Sequence, residues 1–99
     1  MPIRFEWDPT KNDANQRKHG LRFEDAKPLF IWEAERLDQR DEEHSTDENR
    51  FISVGPIASG LITVVWTEPA DDLVRIISAR PSTKQERERY RRYKSVFYE

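Results

Sequence analysis

In the stretch RIISARPSTKQERERYRRYK, Arg75 and Arg80 bracket four nearly apolar residues, and Lys84, Arg87, Arg91 and Lys94 follow at intervals of three and four. Guanidinium groups present paired N–H donors that match phosphate oxygens, so Arg80 and the stripe beyond it could form one phosphate-binding surface. A plain solvated helix would explain the stripe equally, because Glu88 with Arg92 and Glu86 with Arg89 are pairings any exposed helix uses. Arg80 differs in standing at a strand end. His19 and His44 are the two histidines, and a general base with an ordinary pKa near neutrality would be one of them. His19 falls in the last turn of a helical run, where the macrodipole favours a cation. His44 sits in a polar connection. Tyr90 and Tyr93 could stack on bases or transfer a proton, or simply dock their helix. The acidic run DEEHSTDE lacks the turn glycine and ligand spacing of a calcium loop.

These residues depend on a small set of elements. IRFEWD alternates apolar and polar residues, the period of a strand. Asp8 as N-cap, Pro9 at the first helical position and Gly20 as a left-handed stop punctuate a polar helix between them. Phe23, Ala26, Leu29 and Phe30 fit a second helix, short or broken because Pro28 removes a hydrogen bond. Residues 32 to 39 could form a short strand, followed by a solvated connection. RFISVG, LITVVWT and LVRIISA then read as three strands joined by short loops, an antiparallel meander. Ser82 with Gln85, or Thr83 with Glu86, makes a capping box after Pro81, so a last helix runs to about Phe97 with Tyr90, Tyr93 and Phe97 on one face.

Ninety-nine residues with 36% charged side chains make one domain, residues 1 to 99, and leave no room for a second core. The absence of cysteine excludes a disulfide framework and a thiolate metal site, and no signal or membrane-spanning pattern is visible, so a soluble cytoplasmic protein is expected. The net charge of −2 hides two poles. Residues 33 to 48 carry eight acids against Arg36 and Arg40, whereas residues 75 to 94 carry eight bases against two acids. Local fields of this kind steer encounters more than the total charge does.

FEWDPTKNDANQRKHGLRFEDA, RFISVG, VVWTE and RIISARPSTKQERERY, in that order along nearly the whole chain, resemble the BrnT family of bacterial toxins from type II toxin–antitoxin operons. The resemblance implies an α+β, RelE-like fold, a twisted antiparallel sheet with N-terminal helices and a C-terminal helix packed against it. It implies a metal-independent endoribonuclease, without other cofactor, that cuts RNA and inhibits translation. The partner implied is a co-encoded BrnA-like antitoxin, in a heterotetramer through the antitoxin dimer, with DNA touched through the antitoxin and no membrane. In a RelE-like mechanism the ribose 2′-OH attacks the adjacent phosphate. Side chains then remove that proton, stabilise charge on phosphorus and protonate the leaving 5′-oxygen. Arg80 is the first choice for charge stabilisation with Arg50 and Arg75 as neighbours, His19 and Tyr90 are candidates for proton transfer, and Lys84, Arg87, Arg91 and Lys94 for holding RNA. In an unbulged strand Arg75 and Arg80 would face opposite sides, so only one would serve. Trp32, Trp66, Phe97 and Tyr98 are expected anchors for the antitoxin. The competing reading is a noncatalytic protein-binding module, a degenerate toxin or an adaptor.

Overall fold

The computed structural model describes residues 2–31, 35–45 and 48–97. The chain runs β1 (Arg4–Glu6), α1 (Pro9–His19), a 3-10 turn (Phe23–Ala26), α2 (Pro28–Ile31), β2 (Leu37–Arg40), a second 3-10 turn (Glu42–His44), β3 (Arg50–Ile57), β4 (Gly60–Ala70), β5 (Leu73–Pro81) and α3 (Lys84–Phe97). The strands form one sheet in the order β1-β5-β4-β3-β2. From β3 to β5 it is the expected antiparallel meander, which β2 extends antiparallel on β3, but β1 pairs parallel with β5, so the sheet is mixed. The chain leaves β1 at one edge, passes through α1 and the short helices, and re-enters at the other edge as β2. Of the strand expected over residues 32 to 39, residues 32–34 lie outside the described residues and β2 begins at Leu37. Among the described residues no helix is long and apolar enough to cross a membrane.

The punctuation read from the sequence is what bounds α1. Asp8 accepts from the Thr10 amide at 2.8 Å, Pro9 opens the helix, and Gly20 at φ 74° stops it. With scarcely an apolar face, α1 is held by two buried asparagines instead. Asn15 donates to the carbonyls of Leu21 (2.8 Å) and Ala79 (2.7 Å) and accepts from the Ala79 amide at 3.2 Å, pairing with the β5 backbone much as a strand would. Asn12 accepts from the Phe23 amide at 2.7 Å and fixes the turn that follows. The β5 edge beyond the short β1 is thus satisfied by a side chain, as a buried backbone requires.

One face of the sheet carries the core. Ile62, Val64, Trp66, Val74, Ile76 and Ala79 meet Leu21, Phe23, Ala26, Leu29 and Phe30. Pro28 opens α2 and splits the expected second helix in two. Gly55 allows the close approach, because a Cβ there would lie 2.7 Å from the Leu29 side chain. Trp66 belongs to this core: it is 7% exposed, stacks edge-on with Phe30 at 5.0 Å and donates to the Ser53 hydroxyl at 2.7 Å. It is therefore withdrawn as an antitoxin anchor, its area being already used by folding. Trp32, Tyr98 and the Phe97 side chain lie outside the described residues.

Helix α3 lies across one end of the opposite face. Thr83 and Glu86 form the capping box, the Glu86 amide donating to the Thr83 hydroxyl at 3.2 Å and the Thr83 amide to the Glu86 carboxylate at 2.8 Å. The Ser82 and Thr63 hydroxyls share a hydrogen bond of 2.9 Å. Tyr90 is buried and its hydroxyl donates to the Glu35 carbonyl.

Candidate active site

The face beneath α3 is polar where the helix does not cover it. Cross-strand register places Arg50 opposite Thr67, Thr67 opposite Arg75, and Arg75 opposite Glu6, a single row across four strands. Arg75 forms an ion pair with Glu6. Within this row the Arg50 Nε and the Thr67 Oγ1 are buried and make no hydrogen bond among the described residues. Two rows further along the same face lies Arg80, opposite Thr63.

That placement corrects the alternation expected for Arg75 and Arg80. Val65 opposes Ser78, yet its neighbour Trp66 opposes Ile76, so Ile77 is an extra residue on β5. A bulge of this kind resets the side-chain alternation. Both arginines consequently share a face, although five positions separate them.

Alongside β5, α1 leaves a cleft. At one end a cavity of about 420 Å³ is lined by Glu6, Trp7, Asp8, Lys11, Arg75 and Ile77. A smaller one of about 230 Å³ is lined by Lys11, Lys18, His19, Ile77 and Ser78. The two share Lys11 and Ile77 and so run on from each other along the strand edge. The structure therefore gathers Arg75 and His19 along one cleft and sets Arg50 two strands in from Arg75. Glu6, Lys11, Lys18 and Thr67 were missed in the sequence. A signal for the lysines was present, since Lys11, Asn15 and Lys18 recur at the helical period and put both lysines on the face that Asn15 anchors.

The other candidates lie differently. Arg80 is clamped by Glu86, with Nη1 and Nη2 at 2.7 and 2.9 Å from the two carboxylate oxygens. Burial opposes ionisation of Glu86, but hydrogen bonds from Arg80, the Thr83 amide and the Thr63 hydroxyl outweigh it and hold the carboxyl at about 2. Tyr90, with its hydroxyl on a backbone carbonyl inside the fold, docks α3; this position does not suit proton transfer. On α3, Arg89 donates to Gln39 at 2.8 Å while Lys94 pairs with Glu35 at 2.8 Å. These contacts set the helix's orientation: Arg89 and Arg92 face the uncovered part of the sheet, and Lys84, Arg87, Arg91 and Lys94 line the opposite flank. Arg87 donates to the Ser82 carbonyl at 2.7 Å.

Such an arrangement defines a small α+β protein with a cleft of mixed charge between α1 and the β5 side of its sheet. Residues 7–86 match the family model described as "Ribonuclease toxin, BrnT, of type II toxin-antitoxin system", and the chain belongs to that family. Its fold is similar to that of the Brucella abortus ribonuclease toxin BrnT, with a TM-score of 0.61 at 23% identity, over 83% of this chain and 99% of that one. Comparison with curated proteins finds no match.

Proposed function

We propose that the protein cleaves RNA by transesterification in the cleft between α1 and β5, and thereby inhibits translation. The observation that carries this reading is the run of chemically able side chains along one strand edge, with Glu6, Arg75 and Lys11 in the wider cavity and Lys18 and His19 in the adjoining one. The Glu6 carboxylate takes the 2′-OH proton as O2′ bonds to phosphorus. Arg75, oriented by its pair with Glu6, stabilises the charge that develops on the phosphoryl oxygens, with Lys11 beside it. The P–O5′ bond breaks as Lys11, which lines the same cavity as Glu6 and Arg75, gives O5′ a proton, and His19 and Lys18 meet the RNA that runs on into the adjoining cavity. The products are a 2′,3′-cyclic phosphate and a 5′-hydroxyl end, and every step uses side chains of this chain. Arg80 and Arg50 bind flanking phosphates on the same face.

A cognate BrnA-like antitoxin silences the protein by covering this face and edge, in a heterotetramer joined through the antitoxin dimer that also binds DNA. Inducing the chain alone and mapping new RNA ends tests the reading. Growth arrest with new 5′-hydroxyl ends is expected, whereas a harmless chain that leaves RNA intact would favour a noncatalytic binding module.

A further inference from the structure

We infer that the wider end of the cleft is a nucleobase pocket that accepts a base with an exocyclic amino group (adenine, cytosine or guanine) and rejects uracil. This inference rests on the ribonuclease reading of the same cleft. The cavity, about 420 Å³, has the volume of a small-molecule site. Its lining divides by chemistry. Trp7, half-buried, and Ile77 give apolar surface against which the face of any base can stack. Asp8 and Glu6 are the two carboxylates, and ionised carboxylates only accept hydrogen bonds.

Each carboxylate has one oxygen engaged and one to spare among the described residues. Asp8 Oδ1 accepts from the Thr10 and Lys11 amides at 2.8 and 3.4 Å, whereas Oδ2 accepts no hydrogen bond from them. Glu6 Oε2 carries Arg75, and Oε1 accepts no hydrogen bond from a described residue. Adenine, cytosine and guanine each bring an amino group as donor to Asp8 Oδ2, while Glu6 Oε1 is the oxygen that takes the 2′-OH proton. Uracil has no amino group: its one donor on that edge, N3–H, is flanked on both sides by carbonyl oxygens, whose lone pairs would face the carboxylate, whereas the amino group of each other base has a carbonyl on at most one side of it. Lys11 and Arg75 line the same cavity, so a base held there has its phosphate within the cationic part of the cleft. The pocket therefore sets which nucleotide stands beside the bond that is cut.

The test uses the purified full chain and the four nucleoside 5′-monophosphates, following the Trp7 indole N–H resonance. AMP, CMP and GMP are expected to shift it saturably, each with a Kd at least about tenfold below that of UMP. Asp8→Asn keeps the helix cap, since asparagine caps as well as aspartate, but can donate as well as accept. It should narrow the gap to within about twofold by admitting UMP. Equal affinities, no shift at Trp7, or an unchanged preference in Asp8→Asn would overturn the pocket. Selective nucleotide binding by a chain that cuts no RNA would sink the ribonuclease reading and leave the pocket standing. RNA cleavage with no base preference beside the cut would do the reverse.

Discussion

Arg75 and Arg80 face the same side of the sheet because Ile77 is an extra residue between them on β5. Without that bulge, alternation would send one arginine into the apolar core. With it, one strand delivers a guanidinium to each end of a polar face, and the bulge itself lines the cleft beside α1. The two arginines are nevertheless unlike. Arg75 pairs with Glu6 of the edge strand beside the α1 cleft, while Arg80 is held in a two-pronged clamp by Glu86 at the start of α3.

Arg75→Ala should lower the rate of RNA cleavage by about 10²- to 10³-fold, the usual effect of deleting one donor to a developing charge. Arg75→Lys should recover part of it, because an ammonium keeps the charge and lacks the fork. Single-turnover cleavage with thermal melting of each variant checks this, with melting expected to stay close to wild type.

The Arg80–Glu86 clamp makes a pH-dependent contribution to stability. Glu86 titrates at about 2 in the folded chain, below its ordinary value of 4.5, so its contribution is fully present above about 4.5 and is lost as the pH falls toward 2. Glu86→Gln should flatten that part of the stability profile and leave the region above about pH 5 parallel to wild type. Urea unfolding from strongly acidic to near-neutral pH measures both.

The two flanks of α3 should separate in salt dependence. Arg89→Gln with Arg92→Gln, on the flank that overlooks the open sheet, should flatten the salt dependence of single-stranded RNA binding by about 0.7 log units for each phosphate no longer neutralised. Arg87→Gln with Arg91→Gln, on the other flank, should leave the slope close to wild type. Binding titrations over a range of salt concentrations decide between them, and the opposite ranking would return RNA to the outer stripe.

Asn15→Ala removes the amide that pairs with Ala79 and Leu21 and leaves buried backbone groups without partners. A destabilisation of about 2–3 kcal/mol is expected from denaturant unfolding, in line with the usual cost of orphaned buried polar groups. Hydrogen exchange at the Ala79 amide should rise before global unfolding.

The helix caps, the meander and the capping box of α3 were legible because each is written in local chemistry: Asp8, Pro9, Gly20, Thr83 and Glu86 act within a few residues of themselves. What could not be read depends on partners far away in sequence. Nothing near Ile77 announces a bulge, since the register shift is set by how β5 meets β4. Glu6 and Arg75 lie far apart in the chain and meet only through parallel pairing at the sheet edge. Trp66 offered an aromatic with no sign of its burial, and Tyr90 a hydroxyl with no sign of the Glu35 carbonyl that receives it. Arg80 stood out as the charge at a strand end, but the same capping box that placed α3 also supplied the carboxylate that holds it.

If the α1–β5 cleft cuts RNA by attack of a ribose 2′-oxygen, removing that oxygen from one nucleotide must abolish one cut and spare the others. The decisive experiment is cleavage by the purified chain of an RNA carrying a single 2′-deoxy substitution at a mapped cut site, with the ends of the products identified. Cutting at that position should disappear, neighbouring sites should still be cut, and the unsubstituted RNA should yield 2′,3′-cyclic phosphate and 5′-hydroxyl ends. Undiminished cutting at the 2′-deoxy position, or products ending in a 3′-hydroxyl and a 5′-phosphate, would refute attack by the 2′-oxygen.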